Sequence, residues 1–218
     1  MNIWNTYTRC FTNRKFLLAF LFALAILIFG IACNYMSSIY ATERASNSVT
    51  DIILSNIPVF DVDALFTFGP IVMWAGVVYL LLKEPWKMPF TLKSIGLFCV
   101  TRSIFVSLTH IGPFPQHAIL NFTGMMSIFT TGADLFFSGH TGLPFLLALV
   151  FWDSRPLRIA FIACSVFFGV IVLLGHFHYS IDVLSAFFIT YSIYHIAEIG
   201  FKHDRRFFDE GVQGILGA

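Results

Sequence analysis

The stretch Phe16-Leu-Leu-Ala-Phe-Leu-Phe-Ala-Leu-Ala-Ile-Leu-Ile-Phe-Gly-Ile-Ala-Cys33 is apolar throughout and carries no charged side chain. At 1.5 Å of rise per residue, about 20 helical residues cover the hydrocarbon core of a bilayer. In lipid only helices and closed barrels satisfy the backbone, and an unbroken apolar run lacks the alternation of barrel strands. The stretch therefore predicts a membrane-spanning helix.

The same pattern recurs along the whole chain. Of its 218 residues 57% are hydrophobic, 27 are phenylalanine and only 11% are charged, against roughly a quarter charged in a soluble domain. Apolar length predicts six spans, at about 16–36, 64–82, 92–110, 135–152, 157–175 and 179–199. We therefore expect one all-α, polytopic membrane domain over residues 1–218, a six-transmembrane-helix bundle. The fourth span must begin before Ser138, since an apolar segment counted from Thr141 would be too short.

The distribution of basic residues predicts the orientation of the bundle. Eleven of the thirteen fall on one side of the predicted spans: Arg9, Arg14, Lys15, Lys83, Lys87, Lys93, Arg155, Arg158, Lys202, Arg205 and Arg206. By the positive-inside rule both termini are cytoplasmic. The loops 37–63, 111–134 and 176–178 then lie on the non-cytoplasmic face.

Several further features of the sequence bear on its fold and its partners. The first span has the basic flank of a signal peptide but is long for one, so a retained span is favoured over cleavage. Part of the loop 37–63 has a helical stripe of isoleucine and valine, which indicates a helical segment lying flat on the membrane surface. A packing loop or a lid is the alternative. A net charge of +1 argues against a nucleic-acid partner. The four cysteines have no spacing typical of a disulfide pair or a metal site, and no cofactor is expected.

Arg102 lies in the middle of the third predicted span. An arginine at that depth is costly unless it is paired or faces water, which makes it a candidate functional residue. Snorkelling to an interface is the alternative, but it would require a tilted helix or a thinned bilayer. The guanidinium is suited to a phosphate or to a carboxylate such as Asp134.

The segment Ser138-Gly-His-Thr141 follows Asp134 at the start of the fourth span. Gly139 allows close approach of the backbone to a ligand, and a helix start offers N–H groups and a favourable dipole to an anion. The hydroxyls of Ser138 and Thr141 add donors. His140 would then be held against a bound phosphate.

His178 and Asp182 begin the sixth span four residues apart. On a helix that spacing places both on one face, where the carboxylate can orient the imidazole. The chain passes from His140 through two antiparallel spans and returns to His178 at the same membrane face. Two histidines and a carboxylate there suit nucleophilic and acid–base chemistry. The alternative is that they are ordinary interfacial polar groups. The remaining histidines are assigned no catalysis.

These motifs resemble a known family. Ser138-Gly-His140 followed by His178-x-x-x-Asp182 is similar to the type-2 phosphatidic acid phosphatase superfamily, and the longer segments 132–141 and 178–186 resemble its sphingomyelin synthase branch. The resemblance implies that His178 is the nucleophile, His140 the general acid and Asp182 the residue that orients His178. Asp134, Ser138, Gly139, Thr141, Arg102 and Tyr179 would bind substrate.

The implied reaction transfers a phosphoryl-headgroup from a glycerophospholipid donor to a lipid alcohol acceptor such as ceramide, and releases diacylglycerol. The chain departs from the wider superfamily at Val172, where an arginine is usual, and it lacks a Lys…Arg-Pro motif. A phosphomonoester carries nearly two charges and needs several cations, whereas a phosphodiester carries one. This favours phosphodiester transfer over a phosphatase. A hydrolase using the same residues and a non-catalytic lipid-binding protein stay open as alternatives.

Overall fold

The computed structural model describes residues 3–118 and 134–216, and those residues form helices and loops without a strand. The helices are α1 (Ile3–Thr12), α2 (Arg14–Glu43), α3 (Asp63–Lys83), α4 (Met88–Leu108), α5 (Gly139–Val150), α6 (Arg155–Leu174), α7 (Ser180–Gly200), α8 (Lys202–Glu210) and α9 (Val212–Leu216). The all-α class expected from the sequence is confirmed.

Within the described residues, five helical segments are long and apolar enough to cross a membrane: Arg14–Glu43, Asp63–Lys83, Pro85–Leu108, Arg155–Leu174 and Ser180–Gly200. They correspond to the first, second, third, fifth and sixth predicted spans. Many of their large apolar side chains are exposed on the outside of the bundle, as expected for helices that face lipid rather than water. A multi-pass membrane protein is therefore supported.

The predicted fourth span, 135–152, has a different structure. Only Gly139–Val150 is helical, and its 12 residues are too few to form a candidate span by helix length alone. The preceding residues are held outside a helix because Arg102 binds the carbonyl oxygens of Asp134 and Phe137. The count of six spans stays a prediction.

Helices α2 and α4 pack closely. A Cβ atom added to Gly30 would lie 2.5 Å from the carbonyl oxygen of Gly96, so glycine is required for the two backbones to approach. This contact brings Asn34 of α2 beside Arg102 of α4. The two helices thus support the residue that organises the start of α5.

The loop 44–62 does not form the surface helix that its apolar stripe suggests. It contains a single 3₁₀ turn, Leu54–Asn56, whose Leu54 is buried. The loop instead pairs with the segment after α4, since Ser46 N–H donates to the carbonyl of His110 at 2.7 Å. A Cβ on Gly112 would lie 2.3 Å from the Ser46 carbonyl, which explains glycine there. The loop packs over the end of the bundle where His178 lies, which we call the site end.

The opposite end of the bundle gathers both terminal regions. Asn13 donates a hydrogen bond from its side-chain amide to the carbonyl of Ile215 at 3.0 Å. The buried Lys93 of α4 forms an ion pair with Asp204 of α8 at 2.6 Å. The N- and C-terminal helices therefore lie together, away from the site end.

Candidate active site

Helix α5 begins at a side-chain cap. The Ser138 hydroxyl accepts a hydrogen bond from Thr141 N–H at 3.4 Å, and the Ser138 carbonyl accepts from Gly142 N–H. Both Ser138 and Thr141 are fully buried, and Ser165 of α6 donates to the Thr141 carbonyl. The remaining first-turn amides are those of Gly139 and His140. The cap thus orients a helix start whose dipole favours an anion.

Arg102 is buried and holds the segment before that cap. Its Nε donates to the carbonyl of Phe137 at 2.9 Å, and its Nη2 donates to the carbonyl and carboxylate of Asp134 at 2.6 and 3.1 Å. Its Nη1 donates to the Asn34 side chain at 3.0 Å. The three guanidinium nitrogens thus make four hydrogen bonds within the protein. The guanidinium also lies beside Gly139. Arg102 pairs with a carboxylate as the sequence suggested.

His178 and Asp182 meet at the start of α7. Both are buried, and 3.5 Å separates His178 Nδ1 from Asp182 Oδ2, longer than an ordinary hydrogen bond. The same Oδ2 accepts from Tyr179 N–H at 2.9 Å, and within the described residues neither His178 Nδ1 nor Asp182 Oδ1 has a hydrogen-bond partner. This distance is compatible with a catalytic pair, because catalytic hydrogen bonds are often long before substrate binds.

His140 is held by α3 rather than by its own helix. Its ring stacks on that of Phe66, with 4.2 Å between centroids, and hydrogen-bonds the Phe66 backbone. In a regular helix the Phe66 carbonyl would accept from residue 70, but residue 70 is proline and has no N–H. The His140 ring therefore takes the place of the missing N–H as the donor to the Phe66 backbone.

The two histidine motifs lie together. Ser138 N–H donates to the backbone carbonyl of Asp182 at 3.1 Å, which joins the residue before Gly139 to the first turn of α7. The Arg102 guanidinium lies beside Gly139, the residue before His140. Arg102 of α4, His140 of α5 and Asp182 of α7 therefore share the site end of the bundle with His178, which lies two residues before α7 begins.

Tyr179, expected to bind substrate, has a structural contact instead of an exposed hydroxyl. Its side chain is 2% exposed, and its hydroxyl donates to the Gly112 carbonyl at 2.8 Å and accepts from Val49 N–H at 3.2 Å. Tyr179 thereby ties the residue after His178 to both loops that cover the site end.

Three residues near the site were missed by the sequence analysis: Asn34, Asp51 and Phe66. Asn34 and Phe66 lie within spans that look uniformly apolar, and their contacts are made with distant parts of the chain. Asp51 was noted only as part of an acidic loop, yet it is buried and binds the N–H of Ser180. Burial alone would raise the pKa of Asp51, but hydrogen bonds from Ser180, Leu54 and Ile53 outweigh it and lower the pKa.

The other histidines are separate from this arrangement or peripheral to it. His176 donates from Nδ1 to the Gln116 carbonyl and His117 donates from Nδ1 to the Phe114 carbonyl. His195 pairs with the half-buried Glu198 near the opposite end. In the ranges 3–118 and 134–216, no group of three or more metal-ligating side chains is placed to hold a metal ion.

Comparison with known protein families gives a match over part of the chain. Residues 131–199 match the family model described as PAP2 superfamily C-terminal. The match supports the type-2 phosphatidic acid phosphatase superfamily, and it spans His140, His178 and Asp182. No curated protein and no solved structure matches the chain.

Proposed function

We propose that this protein is a membrane lipid phosphotransferase of the sphingomyelin synthase type. It would move a phosphoryl-headgroup such as phosphocholine from a glycerophospholipid to a lipid alcohol such as ceramide. The family match supports the broader class of lipid phosphatases and phosphotransferases. The observation that carries the proposal is the grouping of His178, Asp182 and His140 at one end of an apolar bundle, where the Ser138–Asp182 hydrogen bond joins the start of α5 to the start of α7.

The proposed reaction has two displacements. In the first, the lone pair of His178 Nε2 attacks phosphorus and the bond from phosphorus to the diacylglycerol oxygen breaks. His140, which takes up a proton when the negatively charged phosphodiester binds beside it, gives that proton to the oxygen and releases diacylglycerol. In the second, the acceptor hydroxyl attacks the phosphohistidine, its proton passes to His140, and the P–N electrons return to His178. Asp182 orients the imidazole and stabilises its positive charge.

Charge favours a phosphodiester substrate over a phosphomonoester. Arg44 and Arg102 are the only basic residues outside the eleven on the predicted cytoplasmic side, and Arg102 is already paired with Asp134. A nearly doubly charged phosphate would therefore find little compensating positive charge. A singly charged diester with a bulky headgroup matches the available donors better.

The test uses the full chain in vesicles that contain labelled phosphatidylcholine and ceramide, with products identified by mass. We expect equal amounts of phosphocholine-ceramide and diacylglycerol. His178→Ala should abolish turnover, and Asp182→Asn should lower it by roughly a hundredfold or more. His195→Ala is the matched control, because His195 lies on the same helix with an exposed side chain.

The products also separate the alternatives. Soluble phosphocholine or inorganic phosphate without the ceramide product would show a hydrolase and overturn transfer. A wild-type protein that binds phosphatidylcholine and ceramide but converts neither lipid would be a non-catalytic lipid-binding protein.

A further inference from the structure

The buried carboxylate of Asp51 makes contacts that its sequence position does not suggest. Its Oδ2 accepts from Ser180 N–H at 2.7 Å, and its Oδ1 accepts from the N–H groups of Ile53 and Leu54 at 2.8 and 3.1 Å. The residue is 7% exposed. A buried charge is costly unless several donors compensate it. Both of its oxygens are compensated here, so the contact is a built feature of the loop.

The amide that Asp51 binds lies two residues after His178. The preceding amide, that of Tyr179, is bound by Asp182 Oδ2 at 2.9 Å. Two consecutive N–H groups are thus held by two different carboxylates, one from α7 itself and one from the loop 44–62. Both N–H groups lie at a helix N-terminus, where negative charge is favourable.

The side chain of Tyr179 adds a further restraint on the backbone of Tyr179 and Ser180. Its hydroxyl binds Val49 of the loop and Gly112 of the segment after α4. Hydrogen bonds at Tyr179 and Ser180 therefore restrain the backbone that carries the His178 imidazole. Of these restraints, the Asp51 contact is the one made by a charged side chain from outside α7.

We infer that Asp51 is a positioning residue for His178, acting through the Ser180 amide. The inference rests on the proposed function, in which His178 attacks phosphorus. A nucleophile that is displaced by about 1 Å can lose about a hundredfold in rate without losing its substrate. Loss of Asp51 therefore lowers kcat and leaves the binding of the phospholipid donor unchanged.

The kinetic test compares Asp51→Ala, Asp51→Asn and Asp61→Ala in the full chain with the same donor and acceptor lipids. Asp51→Ala should lower kcat by about tenfold or more and change the donor KM by less than about twofold. Asp51→Asn keeps an oxygen acceptor and should restore kcat to within about threefold of wild type. Asp61 lies in the same loop with an exposed side chain, and its carboxylate accepts from Asp63 N–H rather than from the start of α7. Asp61→Ala should therefore keep kcat within about twofold of wild type.

A second measurement reads the contact without activity. Amide hydrogen exchange in peptides covering residues 176–182 should be at least about tenfold faster in Asp51→Ala than in wild type or Asp61→Ala. Unchanged exchange overturns the inference even if activity falls, and faster exchange with an unchanged kcat overturns it as well. A wild-type protein without turnover, in which Asp51→Ala still accelerates exchange, overturns the proposed function while the Asp51–Ser180 contact stands.

Discussion

Arg102 decides the geometry of the residues that precede α5. Its side chain binds Asn34, Asp134 and Phe137 at once, which only a planar guanidinium with several donors can do. We expect Arg102→Ala to destabilise the protein by about 3–5 kcal/mol, because it leaves the Asp134 carboxylate and two carbonyls without their donor. Arg102→Lys keeps the charge but not the fork, so it should recover only part of this loss. The measurement is the thermal unfolding midpoint in detergent.

Arg44→Ala is the control for removing a positive charge from the same end of the molecule, since Arg44 is exposed and only lies over the Tyr40 ring at 5.9 Å. Its midpoint should stay close to that of wild type. An Arg102→Ala protein as stable as Arg44→Ala would contradict the structural role. Arg102 would then be available for phosphate, and its loss would raise the donor KM instead.

At the residue scale, the sequence predicts the residues whose chemistry is unusual for a membrane but not the residues that support them. Arg102, His140, His178 and Asp182 stand out because each is ionisable in an apolar chain. Asp51 acts through a backbone amide 129 positions away. Such a contact leaves no local pattern, because its partner is an N–H group that every residue other than proline carries.

At the scale of elements, the proline in α3 links that helix to His140. Pro70 lacks the N–H that would bind the Phe66 carbonyl, and the His140 ring binds the Phe66 backbone. In Pro70→Ala a helical N–H competes for this carbonyl. Since alanine is favoured over proline in a helix interior by about 3 kcal/mol, α3 should not lose stability. We expect kcat to fall by about tenfold while the thermal midpoint holds or rises.

Pro156→Ala is the matched control, because Pro156 is in the first turn of α6, where its N–H would have no helical partner. It should change neither activity nor stability by a comparable amount. If Pro70→Ala were as active as Pro156→Ala, the hydrogen bond to the Phe66 backbone would not be what orients His140.

The elements show where the hydrophobic pattern succeeds and where it fails. Five of the six spans predicted from apolar length correspond to long apolar helices in the described part of the chain, since a helix in lipid needs only length and hydrophobicity. The residues before α5 are also apolar, yet Arg102 and Ser138 hold their backbone outside a helix. The loop 44–62 has a helical stripe of side chains, but its hydrogen bonds go to the segment after α4. In both places tertiary hydrogen bonds override a local pattern.

At the scale of the whole molecule, the two ends of the bundle differ in chemistry. The site end carries histidines and aspartates under two packed loops. The opposite end carries most of the basic residues, among them Lys93, which is paired with Asp204 in the interior, and Arg205, which contacts Asp209. The contact between Asn13 and Ile215 places both terminal regions at that opposite end.

This contact bears on the number of spans and on their orientation. A chain whose terminal regions lie at the same end of the bundle crosses the membrane an even number of times, so we expect the short α5, with the non-helical residues before it, to form the sixth crossing. In a cysteine-free protein in sealed right-side-out vesicles, we expect an impermeant maleimide to label Ser48→Cys at once. His203→Cys should be labelled only after the vesicles are opened. Both positions are exposed, and the control is the cysteine-free protein without either substitution, which should take up no label.

If both positions were labelled at once, the chain would cross the membrane an odd number of times between an inside N-terminus and an outside C-terminus. If only His203→Cys were labelled, the positive-inside orientation would be reversed and the histidines would face the cytoplasm.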